Sequence, residues 1–200
     1  MKKRSKYILA GVVILVCLIL VFHCATTKTF RGRVVDADTK EPIEGAVVVI
    51  YWEKAWGGLS GHESTKLKDV KETLTDRNGK WSLVGPKGSL HSPRPFVTLF
   101  LPISYTREPQ FIIFKPGYCS WPNGFSIDAC RDRMDITGVR EKEIGEGGTL
   151  EVPKLTSRED RIRAQSLQLP LGPGALEKMK ELIRLKNEER RSLGLGEVYK

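Results

Sequence analysis

The sequence predicts a mainly β domain, an antiparallel β-sandwich of about seven strands, set between an apolar N-terminal leader and a helical C-terminal tail. Three observations carry that expectation. Apolar and polar residues alternate with period two in short runs beyond residue 29, and turn formers punctuate those runs at close intervals. No helical periodicity interrupts Phe30 to Leu155. With 40% hydrophobic and 28% charged residues, the 200-residue chain has the composition of a globular protein able to bury a core. Its 19 glycines and 11 prolines suit a loop-rich β architecture.

The leader comes first. Met1-Lys2-Lys3-Arg4-Ser5-Lys6 is positive, and Tyr7 to Phe22 is a nearly unbroken apolar run without charge. The run has the length of a signal-peptide core and is short for a membrane span, which takes about 20 residues. In either case the positive residues stay in the cytoplasm and the rest of the chain goes outward. Residues 1–24 are therefore read as a signal peptide or membrane anchor, and 25–28 as a polar tether. Val21-Phe22-His23-Cys24-Ala25 resembles a bacterial lipobox, which implies lipid attachment at Cys24. His23 departs from the small residue that motif prefers, so an uncleaved signal-anchor stands beside the lipoprotein, with simple secretion behind both. The formal charge of +9 would point to nucleic acid in a cytosolic protein. Outside the cytoplasm it points to anionic headgroups or envelope polymers, and no nucleic-acid partner is expected.

In the domain proper, Phe30, Gly32 and Val34 alternate with Arg31, Arg33 and Val35 as in a half-buried strand. Asp36 to Pro42 is a string of turn formers. Ala46 to Trp52 is apolar on both faces, as in a strand covered from both sides. Glu53 to Lys68 reads as a polar excursion holding Trp56-Gly57-Gly58. Val70–Thr75 and Lys80–Val84 flank Asp76-Arg77-Asn78-Gly79, and Asn-Gly between strand-like runs predicts a hairpin turn at Asp76, Asn78 and Gly79. Phe96–Leu101 and Phe111–Lys115 are further strands, each ended by proline. Tyr118 to Gly148 is rich in glycine and charge, and Thr149–Leu155 closes the sandwich, which spans 29–155.

Residues 156–200 change character. Thr156-Ser157-Arg158-Glu159 is a capping-box pattern opening a short helix with Ile162 and Leu167 on its stripe. Pro170 to Gly174 is a break. Ala175 to Leu193 resumes helical spacing, with Leu176, Met179, Leu182 and Ile183 on one side and Gly194 as the stop. The other faces carry both signs of charge. The stripe needs cover from the sandwich, a partner or lipid.

Three pieces form one pattern: Gly32-Arg33-Val34-Val35-Asp36 with Pro42-Ile43-Glu44-Gly45-Ala46, then Thr75-Asp76-Arg77-Asn78-Gly79-Lys80-Trp81, then Lys115-Pro116-Gly117-Tyr118. In this order they resemble the carboxypeptidase regulatory-like domain family. The resemblance covers most of Thr29 to Tyr118. It implies a transthyretin-like fold, and a module that binds or supports something and does no chemistry. In that family these residues build the fold. Here Asp76 would cap the turn, Gly79 take the left-handed position, and Trp81 and Leu83 fill the core. The Trp56 segment and Tyr118–Gly148 lie outside the pattern.

Catalytic chemistry finds little to use. The histidines are His23, His62 and His91, without zinc-ligand spacing, so neither a metal nor another cofactor is expected. An enzymatic relative of the fold, hydroxyisourate hydrolase, uses a Tyr-Arg-Gly-Ser tail; this chain ends Glu197-Val198-Tyr199-Lys200. Asp36, Asp38, Asp76 and Asn78 lack calcium-loop spacing and read as turn caps. Cys119 and Cys130 form an even pair in an oxidising compartment and are expected to be bridged, contributing roughly 2–3 kcal/mol. Two separate buried thiols are the alternative, and a Cys-based catalytic site a remote one. Trp56, Trp121 and Phe125 are aromatics in expected loops, placed either to contact a ligand or to pin those loops to the domain.

The expected function is therefore a non-catalytic interaction or structural module, extracytoplasmic and tethered to the bacterial envelope. Its partner would be the membrane together with an envelope protein or glycan. A carbohydrate-binding sandwich using loop tryptophans is the alternative. Intact-mass measurement of the mature chain is expected to find a diacylglyceryl-modified Cys24 at its N-terminus; a mass that retains unmodified Met1 would establish the anchor instead.

Overall fold

The computed structural model describes residues 7, 11–15, 27–57, 63–87, 104–122, 128–131, 141–165, 169–170, 172 and 174–197. Among the described residues seven strands make two sheets: β1 Thr29–Asp36, β2 Val47–Gly57, β3 Glu63–Leu74, β4 Lys80–Val84, β5 Ser104–Thr106, β6 Gln110–Phe114 and β7 Glu146–Val152. Short helices α1 Asp128–Arg131 and α2 Glu141–Gly145 precede β7, and α3 Arg158–Arg163 and α4 Lys180–Ser192 follow it. Cys24, Leu167 and the expected strand at Phe96–Leu101 lie outside the described residues. Among the described residues no helix is long and apolar enough to cross a membrane.

The first sheet has the order β4-β1-β7. In the second, β2 pairs β3 along one edge, while β6 and β5 follow each other along its other edge. Here the expectation of an antiparallel sandwich is corrected, because β1 and β7 run parallel. A parallel neighbour requires a crossover connection, and here β2 to β6 come between β1 and β7 in the chain. α1 and α2 also correct the expectation that no helix interrupts Phe30–Leu155. With 4 and 5 residues they are too short to display a helical period.

The Asp76–Lys80 turn forms, with Gly79 N–H donating to Asp76 O at 2.8 Å and Gly79 at φ +71°. It does not close a hairpin. β3 pairs with β2, and β4 pairs with β1, so the turn carries the chain from one sheet to the other. Tertiary hydrogen bonds part the two arms. Thr75 N–H donates to Ala46 O at 2.9 Å, whereas Gly79 O accepts from Val34 N–H at 2.8 Å. The polar excursion at Glu53–Lys68 is likewise corrected. β2 continues to Gly57 and β3 starts at Glu63, so Trp56 lies on a strand opposite Ser64 and Ser104. Such a polar ribbon has no apolar alternation to betray it.

The two sheets face each other across one core. Phe30, Val34, Trp81, Leu83, Leu150 and Val152 from the first meet Val48, Ile50, Trp52, Phe111 and Ile113 from the second. Phe30 lies 5.7 Å from the Trp52 ring and 6.1 Å from Phe111, with tilted and edge-on geometry. Gly32 also faces inward. A Cβ there would stand 2.9 Å from the Trp81 ring and 2.5 Å from Ile144 O, so the indole occupies the room a side chain would need.

The tail adds a third layer. Met179, Leu182 and Leu185 pack on Val47, Val49, Val70, Ile112 and Phe114, the outer face of the second sheet. This explains why β2 is apolar on both faces. The stripe differs from the expected one: Leu176 is 41% exposed, because residues 176–178 form a 3₁₀ turn that rotates it away. Strand residues also anchor the helix. The Glu72 carboxylate accepts from the Glu181 and Leu182 amides at 2.8 and 3.1 Å, supplying a cap that Met179 cannot. Lys178 pairs with Asp69 at 2.6 Å. The cap of α3 is Ser157, accepting from the Asp160 amide, rather than the expected Thr156 with Glu159. Arg161 forks onto Glu189 at 2.8 and 2.6 Å, tying α3 to α4. At the end of α4, Gly194 at φ +73° closes a Schellman motif, with Leu195 N–H donating to Arg190 O.

Leu182 is fully buried at the centre of this layer. Leu182→Ala is expected to destabilise the whole domain by about 2–5 kcal/mol, with one cooperative transition in urea. A separate early transition confined to the tail would show that α4 is an independent element.

Candidate functional site

The polar residues of the three-piece pattern converge on one end of the sheets, where they hold one another. Asp36 ends β1 and is only 5% exposed. Its Oδ1 accepts from the amides of Asp38 and Thr39 at 2.8 and 3.0 Å, and its carboxylate from the Tyr118 hydroxyl. Burial by itself would raise the Asp36 carboxyl. The Thr39 and Asp38 amides, the Tyr118 hydroxyl and the Lys154 charge overcome it and hold the group below its ordinary value. The same environment raises Tyr118: burial first, then the negative charge and hydrogen bond of Asp36, then Glu41.

The other pattern residues are similarly engaged. Thr75 Oγ1 is buried, donates to Ile43 O at 2.6 Å and accepts from Ala46 N–H at 2.9 Å. Asp76 Oδ1 accepts from the amides of Asn78 and Lys80, both at 2.8 Å. Lys115 Nζ donates to Glu44 O at 2.7 Å. A Cβ at Gly79 would stand 2.3 Å from Val34 O, so the turn needs glycine for space as well as for its φ.

Cys119 and Cys130 are joined, with S–S 2.07 Å, and both are buried. The bridge ties the chain after β6 to α1. Trp121 departs from a ligand-contact role: it is 4% exposed, packs in the inter-sheet core and exchanges backbone hydrogen bonds with Ile113. Of the two roles expected for it, Trp121 takes that of pinning its segment to the domain, here through an isolated β-bridge to Ile113. Trp56 is half-buried on β2, with Lys54 Nζ 5.6 Å from its ring centre. Phe125 lies outside the described residues.

On the outer face of the first sheet lies an open groove of about 690 Å³. Arg31, Arg33, Lys80, Ser82, Glu146 and Thr149 furnish its polar lining. The strand register sets them in rows: Arg33 sits between Lys80 and Thr149, and Arg31 between Ser82 and Glu146. The ladder slips between Arg31 and Arg33, opposite Gly147 and Gly148. Gly147 has φ +103°, and a Cβ on Gly148 would stand 2.5 Å from Glu143 O, so glycine allows this irregularity.

The groove's acids are already engaged, Glu146 by Lys28 at 2.9 Å and Asp76 by its turn amides. Arg33 Nε donates to Asn78 O at 3.0 Å, which leaves its positive charge uncancelled. Like charges opposite each other in a ladder are unfavourable, and an anion above Arg33 and Lys80 would relieve them. Guanidinium groups suit carboxylate or phosphate. The groove was missed in the sequence: Arg31 and Arg33 were legible as an outward face, but the register that sets Lys80 beside them was not.

Among the described residues no group of three or more His, Cys, Asp or Glu side chains is placed to hold a metal ion. In comparisons with known proteins, no family model, no curated protein and no solved structure matches the chain.

Asp36→Asn is expected to cost about 1–3 kcal/mol, because a neutral amide accepts less strongly from three donors. The wild-type contribution should be complete above about pH 4, the carboxyl's unfolded value, and fade as pH falls through the lower folded value. Urea unfolding of both proteins from neutral to acid pH checks this. Parallel stability profiles would deny Asp36 that role.

Proposed function

We propose that the chain is a β-sandwich of the carboxypeptidase regulatory-like, transthyretin-like kind, tethered to the membrane outside the cytoplasm. It acts as a non-catalytic interaction or structural module of the bacterial envelope. One observation carries this reading: the polar residues of the pattern are consumed by the fold. Asp36 is held by two amides and Tyr118, Thr75 by Ile43 and Ala46, Asp76 by its own turn, and Lys115 by Glu44. Such residues support a scaffold, each committed to holding a turn or joining two segments.

Further support comes from three features. The buried Cys119–Cys130 bridge suits an oxidising compartment. The apolar run with its positive flank suits an outward address. The groove of Arg31, Arg33 and Lys80 is a recognition surface for an anionic group. A glycan site built on Trp121 loses its support, because that ring is buried in the core.

A phosphatase reporter, active only outside the cytoplasm and fused after Lys200, is expected to be active. A cytoplasm-only reporter that is active at the same position, with a silent phosphatase, would sink the proposal.

A further inference from the structure

The groove on the first sheet is one part of a longer hollow. A second open concavity, of about 400 Å³, is lined by Lys28, Thr29, Arg31, Gly145 and Glu146, and adjoins the groove at Arg31 and Glu146. Together the two follow the outer face of β1 from Thr29 to Arg33. In strand geometry that stretch is about 13 Å long, more than one anion needs. The hollow therefore suits a linear ligand laid along the strand.

Its positive charges come in two steps. Arg31 and Arg33 lie on one face of β1, about 6.6–6.8 Å apart along the strand, twice the rise per residue. Lys80 stands opposite Arg33 and reinforces that step. Among the described residues no hydrogen bond or ion pair engages the Arg31 or Lys80 side chain, and Arg33 gives Nε to Asn78 O. Ser82 and Thr149, both exposed, flank the arginines from the neighbouring strands. Negative groups bracket the cations. Glu146 stands opposite Arg31, paired with Lys28 at 2.9 Å, and Asp76 heads the turn whose amide bonds Lys80 O.

We infer that the groove binds an acidic peptide in extended conformation, with carboxylates on alternate residues seated on Arg33 with Lys80 and on Arg31. The inference rests on the reading of this groove as an anion-recognition surface and names its ligand. An extended peptide repeats its same-face side chains at the same spacing of about 6.6–6.8 Å, so carboxylates two residues apart meet both steps at once. Guanidinium forks fit carboxylates. Hydroxyls both donate and accept, so Ser82 and Thr149 can serve the N–H and C=O groups of such a backbone. A polymer charged on every unit would carry negative charge past Glu146 and Asp76, where like charges are unfavourable. A glycan gains least: the aromatic lining residue, Trp81, is buried in the core and offers no ring face to a sugar.

The test uses the full chain in neutral detergent and rhodamine-labelled peptides with blocked ends, read by fluorescence anisotropy. One peptide carries two glutamates separated by a single threonine; its isomer has the same composition with the glutamates adjacent. Adjacent side chains of an extended chain point to opposite faces, so the isomer engages one step only. The alternating peptide is expected to bind about tenfold tighter, the loss of one charge-assisted contact. Arg31→Gln should abolish that preference. Lys80→Gln should weaken both peptides by a similar factor, and Lys66→Gln, an exposed site on the other sheet, should weaken neither. Urea midpoints check that the variants fold, and the wild-type comparison decides by itself should one fail to.

Equal affinity for the two isomers would overturn the extended peptide and leave a groove for anions standing. Tighter binding of trigalacturonate or tripolyphosphate than of the alternating peptide, lost in Lys80→Gln, would reassign the groove to a glycan or a phosphate polymer. If neither peptide binds, nor either of those anions, the peptide and the anion groove both fall. The tether is untouched by these results, since the reporter fusion reads it separately.

Discussion

β2 is the element on which the rest of the molecule depends. Val47, Val48, Val49 and Ile50 are completely buried, although in a strand they point alternately to opposite faces. Two covers are therefore required. The first sheet supplies one through Phe30, Trp81 and Leu150, and α4 supplies the other through Met179, Leu182 and Leu185. Fully burying each of those three helix side chains contributes about 1.5–3 kcal/mol, an appreciable share of a marginal net stability. The C-terminal segment is thus a structural layer of the domain.

Around that strand, polar chemistry is used mainly to fasten elements to each other. Glu72 stands in for a helix cap that the local sequence lacks, and Arg161 accompanies a Glu189 that is only 2% exposed. Asp36 and Thr75 join turns that are far apart in the chain. Hydrogen bonds to buried groups cost most when one partner is lost, which is why the pattern is made of these residue types. The outer face of the first sheet, where Arg33 stands beside Lys80, is basic.

Legibility in the sequence followed the range of the interaction. The strands at Phe30–Val35, Lys80–Val84 and Phe111–Phe114 were readable because each carries its own apolar positions. The Cys119–Cys130 pair was readable as arithmetic, with separate thiols left open. The Asp76–Gly79 turn was recognised from residues that take special φ or cap their own backbone, but its strands were wrongly joined. A turn's chemistry specifies how the chain bends and leaves open which edges the emerging strands will find. For Trp121 the sequence left open a ligand contact or an anchor for its own segment, and the bridge to Ile113, which no local pattern announces, decides for the anchor. Trp56 was assigned to a loop because Glu53–Gly57 pairs with polar neighbours and shows no apolar period.

The sequence by itself determined a mainly β domain, the double-sided apolar character of its central strand, the basic balance, and a C-terminal helix needing cover. These follow from residue periodicity and composition, which act over a few neighbours. Only the tertiary structure decided that β1 and β7 run parallel, that the second cover of β2 is the chain's own helix, and that Arg33 stands beside Lys80. Each depends on register and direction between segments distant in the chain, and a one-residue slip in register would turn every side chain to the other face. Core packing selects a single register, and with it the surface on which the charges meet.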